Sequence, residues 1–125
     1  MGLTVEGKKG ATVADDFREQ VEAALAGEDV EDLLGVVIDL ALAAEDRVWA
    51  QECLLELATH EHTDVRGNAL MGFAHLATRF GAVDRDQVEP ALHAALSDDK
   101  AHVREQAEAC LEELGWGLPR AGSEG

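Results

Sequence analysis

Apolar residues along this chain recur with helical spacing in six separate stretches, each bounded by glycine, proline or short polar runs. Val13, Phe17, Val21 and Leu25 fall every fourth position on one face and predict a first helix over about Ala14 to Ala26. Gly27 supplies a stop, and Asp29 with Asp32 three residues later has the pattern of a helix start, where carboxylates meet unpaired backbone amides. A second helix over about Val30 to Ala44 carries Leu33, Leu34, Val36, Val37, Ile38, Leu40 and Leu42 around most of its circumference. Such a helix is expected to be the core helix, sandwiched between neighbours on more than one side. A third, over about Val48 to Thr59, turns Ala50, Cys53, Leu54 and Leu57 inward and Gln51, Glu52 and Glu56 outward. The fourth, capped by Asp64, carries Val65, Ala69, Phe73, Leu76 and Phe80 and stops at Gly81. Asp86 and Glu89 have capping-box spacing for a fifth helix over about Gln87 to Leu96, with Pro90 tolerated in its first turns. Val103, Ala107, Leu111 and Leu114 mark a sixth, ended by Gly115.

Two of these stretches echo each other. Ala50 to Leu76 laid over Val88 to Leu114, without a gap and 38 residues apart, brings Leu54, Val65, Arg66, Ala69 and Leu76 onto Leu92, Val103, Arg104, Ala107 and Leu114. Each copy reads as a helix, a polar turn, a Val-Arg pair and a second helix, a unit that buries its apolar face by stacking on its neighbours. The stretch from Val88 to Leu114 resembles the HEAT repeat in its placement of proline, the leucine pair, the Asp-rich turn, Val-Arg, alanine and the late leucine. The earlier copy has Glu52 where a proline is common, and Ala14 to Asp46 keeps only the hairpin pattern. The resemblance implies an all-α fold: a short right-handed α-solenoid of about three antiparallel helix pairs, whose second helices line a concave protein-binding surface. It brings no catalytic residues. It also implies that Arg66 and Arg104, with Asp64, Asp98 and Asp99, form a structural ladder between repeat units, consistent with the way arginine forks onto carboxylates.

The expected organisation is therefore a loose start over 1–12, one helical domain over 13–115, and a tail over 116–125. That tail is aperiodic and expected to be mobile unless Trp116 folds back. A length of 125 residues suits one domain, and the 46% apolar content, 4% aromatic content and absence of tyrosine fit a helical protein rich in alanine and leucine.

Charge narrows the function further. The chain carries 26 acidic against 10 basic side chains, a formal net charge of -16, which disfavours nucleic acid and anionic membranes and favours a basic protein partner. Eleven of the acids lie between Ala14 and Asp46, against Arg18 alone. No run approaches the roughly 20 apolar residues of a membrane span, and the start has no apolar signal-like core, so a cytoplasmic protein is expected.

Chemistry-bearing patterns are weak. His60, Glu61, His62 and Asp64 crowd one turn, with His102 at the matching position of the next repeat, but zinc-type pair spacings are missing and polar turn residues explain the cluster. Cys53 and Cys110 fall within apolar stripes and read as core. No nucleophile elbow, phosphate loop or recognisable Cys-His spacing occurs, so no catalytic residue, metal or cofactor is expected and the chain reads as a non-enzyme.

Partner contacts are expected from three places: the acidic hairpin (Asp29, Glu31, Asp32, Asp39), the second-helix face of the repeats (Met71 and His75 on the fourth helix, Glu105, Glu108 and Glu112 on the sixth), and an exposed apolar anchor, Trp49 or Met71, inside a charged rim. Met71 also fits a core position. Small, acidic, single-domain bacterial chains of this make-up also look like immunity proteins of polymorphic and contact-dependent toxin systems. That likeness implies a non-catalytic module, monomeric or weakly dimeric, that neutralises a basic toxin domain. The alternative is an adaptor that recruits an endogenous protein.

Overall fold

The computed structural model describes residues 13–27 and 29–116, and all of their regular structure is helical. Six helices follow in order: α1 (Val13–Gly27), α2 (Val30–Leu42), α3 (Arg47–Leu57), α4 (Thr63–Phe80), α5 (Arg85–Ala95) and α6 (Ala101–Leu114). Residues 1–12 and 117–125, expected to be the loose ends of the chain, lie outside the described residues. Trp116 lies within them. Its backbone N–H donates to the Leu111 carbonyl at 3.0 Å, its side chain packs against the core, and the Arg85 guanidinium sits 4.8 Å above its ring centre.

Local chemistry sets several helix ends. Asp29 accepts from the Asp32 N–H at 3.1 Å to start α2, and Asp46 accepts from the Trp49 N–H at 3.0 Å to start α3. Gly81 and Gly115 end α4 and α6 with φ of 91° and 77°, a region that glycine enters without a Cβ penalty. Two starts differ from the sequence expectation. The cap of α4 is His62, whose Nδ1 accepts from the Asp64 N–H, so Asp64 stands inside the first turn. The cap position of α5 is Asp84, so Asp86 stands inside the first turn and the expected capping box of Asp86 and Glu89 does not form; Glu89 instead accepts from Arg85 at 2.9 Å.

As its apolar content predicts, α2 is sandwiched, packing against α1, α3 and α4, but the fuller burial is at α4, which packs against α2, α3 and α6 and takes the central place expected of α2. Small residues explain the exchange. A Cβ on Gly72 would lie 2.8 Å from Leu54 Cδ1, and one on Gly67 would lie 2.6 Å from His102 Cδ2, so both glycines let a neighbour approach the α4 backbone closely. Val65, Ala69, Leu70, Phe73 and Leu76 of α4 are all fully buried. In α2 only Leu33, Val36, Val37, Leu40 and Ala41 are buried, and Ile38 and Leu42 remain 55% and 58% exposed.

The 38-residue echo is also an echo of contacts. Arg66 donates to the carbonyl of His60 at 2.9 Å, and Arg104 donates to the carbonyl of Asp98 at 2.7 Å, two bonds related by the same shift. Between the copies, Arg66 grips both carboxylate oxygens of Asp98, Nε to Oδ2 at 2.8 Å and Nη2 to Oδ1 at 2.9 Å. Charge-assisted fork geometry of this kind is among the stronger polar contacts available to a protein. It holds the Asp98 carboxyl down at about 2, with the Lys100 backbone N–H adding a further donor.

Two further polar residues tie elements together without having been marked by the sequence pattern. Gln51, expected to face outward, is 1% exposed: its Oε1 accepts from Arg47 and from the Asp84 N–H, both at 2.9 Å, and its amide reaches Gln87 at 3.3 Å. Arg79 donates to the Ala41 and Ala44 carbonyls, satisfying backbone acceptors at the end of α2.

Candidate functional site

The exposed side of α2 carries two different surfaces. On its α1 side, Glu31, Asp32, Gly35 and Asp39 border an open cleft of about 450 Å³, closed opposite by Gln20, Ala23 and Ala24 of α1. On its α4 side, Val37, Ile38, Ala41 and Leu42 face Asn68, Met71 and His75 across a groove of about 200 Å³. Helical spacing explains the division: Asp32 and Asp39 are seven residues apart and share a face, whereas Ile38 and Leu42, four apart, share the next one round. An acidic strip and an aliphatic strip thus run side by side along one helix.

Glu31, Asp32 and Asp39, expected as partner contacts, are exposed and come together in this cleft. Asp29 is exposed at the head of the same helix, where it also serves as the cap. The basic residue of the hairpin, Arg18, is directed elsewhere: it lies 3.6 Å from Glu22, 3.9 Å from Asp46 and 4.7 Å from the Trp49 ring centre. Among the described residues, no basic side chain pairs with Glu31, Asp32 or Asp39.

Met71 is half-buried and His75 exposed, both on the α4 wall of the groove. Trp49 is only 8% exposed, covered edge-on by Phe17 at 6.1 Å and by Arg18, so it is part of the packing under α1 rather than a projecting anchor. The reach of α1 over α3, which covers it, is a tertiary contact that periodicity within the third helix does not encode.

Glu105, Glu108 and Glu112 are exposed on one face of α6 and border neither the cleft nor the groove. The 38-residue register sets them where α4 has Gly67, Leu70 and Ala74, which are buried. Gly67 meets His102 and Gln106 of α6, and the Cys110 thiol lies against the Ala74 backbone. The three glutamates therefore occupy the flank that, one repeat earlier, receives the following helix.

The remaining chemistry-bearing side chains serve the scaffold. His60 Nδ1 accepts from the His62 N–H at 2.9 Å and His62 caps α4, so the histidine-rich turn spends ring nitrogens on its own backbone. His102 lies across Gly67 at the α4–α6 contact. No group of three or more His, Cys, Asp or Glu side chains placed to hold a metal occurs among the described residues. Burial pushes the thiols of Cys53 and Cys110 up, to about 11 and about 12, so neither is a ready thiolate nucleophile at neutral pH.

No helix of the described residues is long and apolar enough to cross a membrane. Sequence pattern missed Ile38 and Leu42 as surface residues, because an apolar residue four positions from another reads as core until the neighbouring helices are placed. Comparison of the chain with protein-family models, with curated proteins and with solved structures gave no match.

Proposed function

We propose that this protein is a non-catalytic binding module whose acidic α1–α2 hairpin engages a basic protein partner, and that its specific role is to neutralise a toxin domain in the cytoplasm. The observation that carries the reading is the meeting of Glu31, Asp32 and Asp39 on one open cleft without basic partners among the described residues. Such a concentration of like charge disfavours the fold through self-repulsion and rewards a cationic surface that docks there.

The scaffold reading is a short HEAT-like α-solenoid. It is supported by the packing of α1 on α2, α3 on α4 and α5 on α6, with α2, α4 and α6 in contact in that order. The equivalent Arg66 and Arg104 bonds add to it. On this reading Glu105, Glu108 and Glu112 form the polar end face that a stack of helix pairs needs at its last unit, and the partner surface is the hairpin at the other end.

The test is to mix the purified protein with the protein fragment encoded directly upstream of its gene. A tight complex that weakens as salt rises is expected, and deletion of the gene should harm cells only when that neighbour is expressed. Absence of any complex, or a deletion phenotype independent of the neighbour, would point instead to an adaptor for an endogenous protein.

A further inference from the structure

We infer that the aliphatic groove between α2 and α4 takes the large apolar side chains of the same partner, so that the ligand is a basic, amphipathic protein segment rather than a uniformly cationic surface. The inference rests on the acidic-recognition reading above and adds the chemistry of the bound segment.

Ile38 and Leu42 are each more than half exposed, and the groove they form with Met71 and His75 lies directly beside the acidic strip of the same helix. Two large aliphatic side chains are held in water at adjacent turns, and covering them would return their apolar surface from water to a dry contact. A groove of about 200 Å³ is smaller than the usual small-molecule pocket of roughly 300–1,000 Å³, and suits one or two side chains.

Charge selects the occupant. Asp32 and Asp39 flank the crest of α2 on one side of the aliphatic pair, and Glu31 stands on the crest itself, so any ligand seated on Ile38 and Leu42 meets carboxylates at its edge. A second copy of this chain would bring its own acidic hairpin into that field and be repelled, as would anionic lipid. A helix with leucine or a similar residue on one face and lysine or arginine on the flank satisfies both strips at once, in the manner of helix-in-groove recognition.

The probe is a dye-labelled 15-residue peptide with lysine on one helical face and leucine on the other, compared with a peptide of equal charge carrying serine in place of leucine. Fluorescence anisotropy should give at least tenfold tighter binding for the leucine peptide, and Ile38→Ser with Leu42→Ser should remove that advantage while leaving the serine peptide unchanged. Asp32→Lys with Asp39→Lys should weaken both peptides. Because these four positions are exposed, the variants should still fold, and a cooperative thermal unfolding transition in each checks that they do. Equal affinity for the two peptides, or an advantage that survives in the groove variant, overturns the groove assignment and leaves acidic recognition standing. Binding of neither peptide overturns acidic recognition and this inference together. A concentration-dependent dimer, abolished by the groove substitutions, would assign the groove to a second copy and overturn the inference.

Discussion

Gly35 and Gly67 are both helical glycines, and their surroundings give substitution opposite signs. A Cβ at Gly35 meets nothing within 4 Å, so Gly35→Ala should gain the helix propensity of alanine, about 1 kcal/mol. At Gly67 the same Cβ would meet the His102 ring at 2.6 Å, and overpacking of that kind costs about 1–3 kcal/mol, enough to outweigh the gain. Urea unfolding of the two variants should therefore show a higher midpoint for the first and a lower one for the second; shifts of the same sign would contradict the close approach of α6 to α4. Asp98 makes a pH prediction. Its carboxyl is held at about 2 by the Arg66 guanidinium, below the ordinary 3.8, so its stabilising contribution is complete above about pH 4 and is lost as pH falls through 2. Linkage puts that contribution at about 2 kcal/mol. Urea midpoints followed from pH 5 to pH 2 should fall more steeply for the parent than for Asp98→Asn, and parallel curves would refute the pairing.

At the scale of elements, Gln51 joins α3 to the start of α5 by accepting from the N–H of Asp84, the cap residue of a helix whose own cap side chain makes no hydrogen bond. Gln51→Leu leaves that amide and Arg47 without their acceptor, at about 1–2 kcal/mol, and should speed hydrogen exchange at the first-turn amides of α5 more than elsewhere. Uniform exchange across all six helices would deny Gln51 this role. The six helices themselves were legible because each carries an apolar stripe that its own residues define, and because glycines at 81 and 115 mark two ends. Which helix lies at the centre was not legible in the same way. It depends on Gly67 and Gly72 meeting His102 and Leu54, residues 35 positions ahead and 18 behind, and no local pattern distinguishes such a glycine from Gly35. The same holds for His62, which displaces Asp64 as a cap only through the geometry of its turn.

Over the whole molecule, the acidic bias of the first hairpin could be counted directly from sequence, and the structure brings three of its carboxylates to one cleft. The neighbouring groove could not be foreseen, since Ile38 and Leu42 become surface residues only when α4 packs below them. Trp49 shows the converse, an apparent anchor that α1 covers. Capture of a basic partner by the field of the α1–α2 hairpin, as proposed, acts on the association rate. The most direct measurement is the association rate with the upstream-encoded fragment as a function of ionic strength, for the parent and for the combined Glu31→Lys, Asp32→Lys and Asp39→Lys variant, which leaves the Asp29 cap in place. The account predicts a parent rate that falls steeply with salt, and a variant rate about tenfold lower at low salt with a much flatter dependence. Equal rates and equal salt slopes for the two proteins would contradict it.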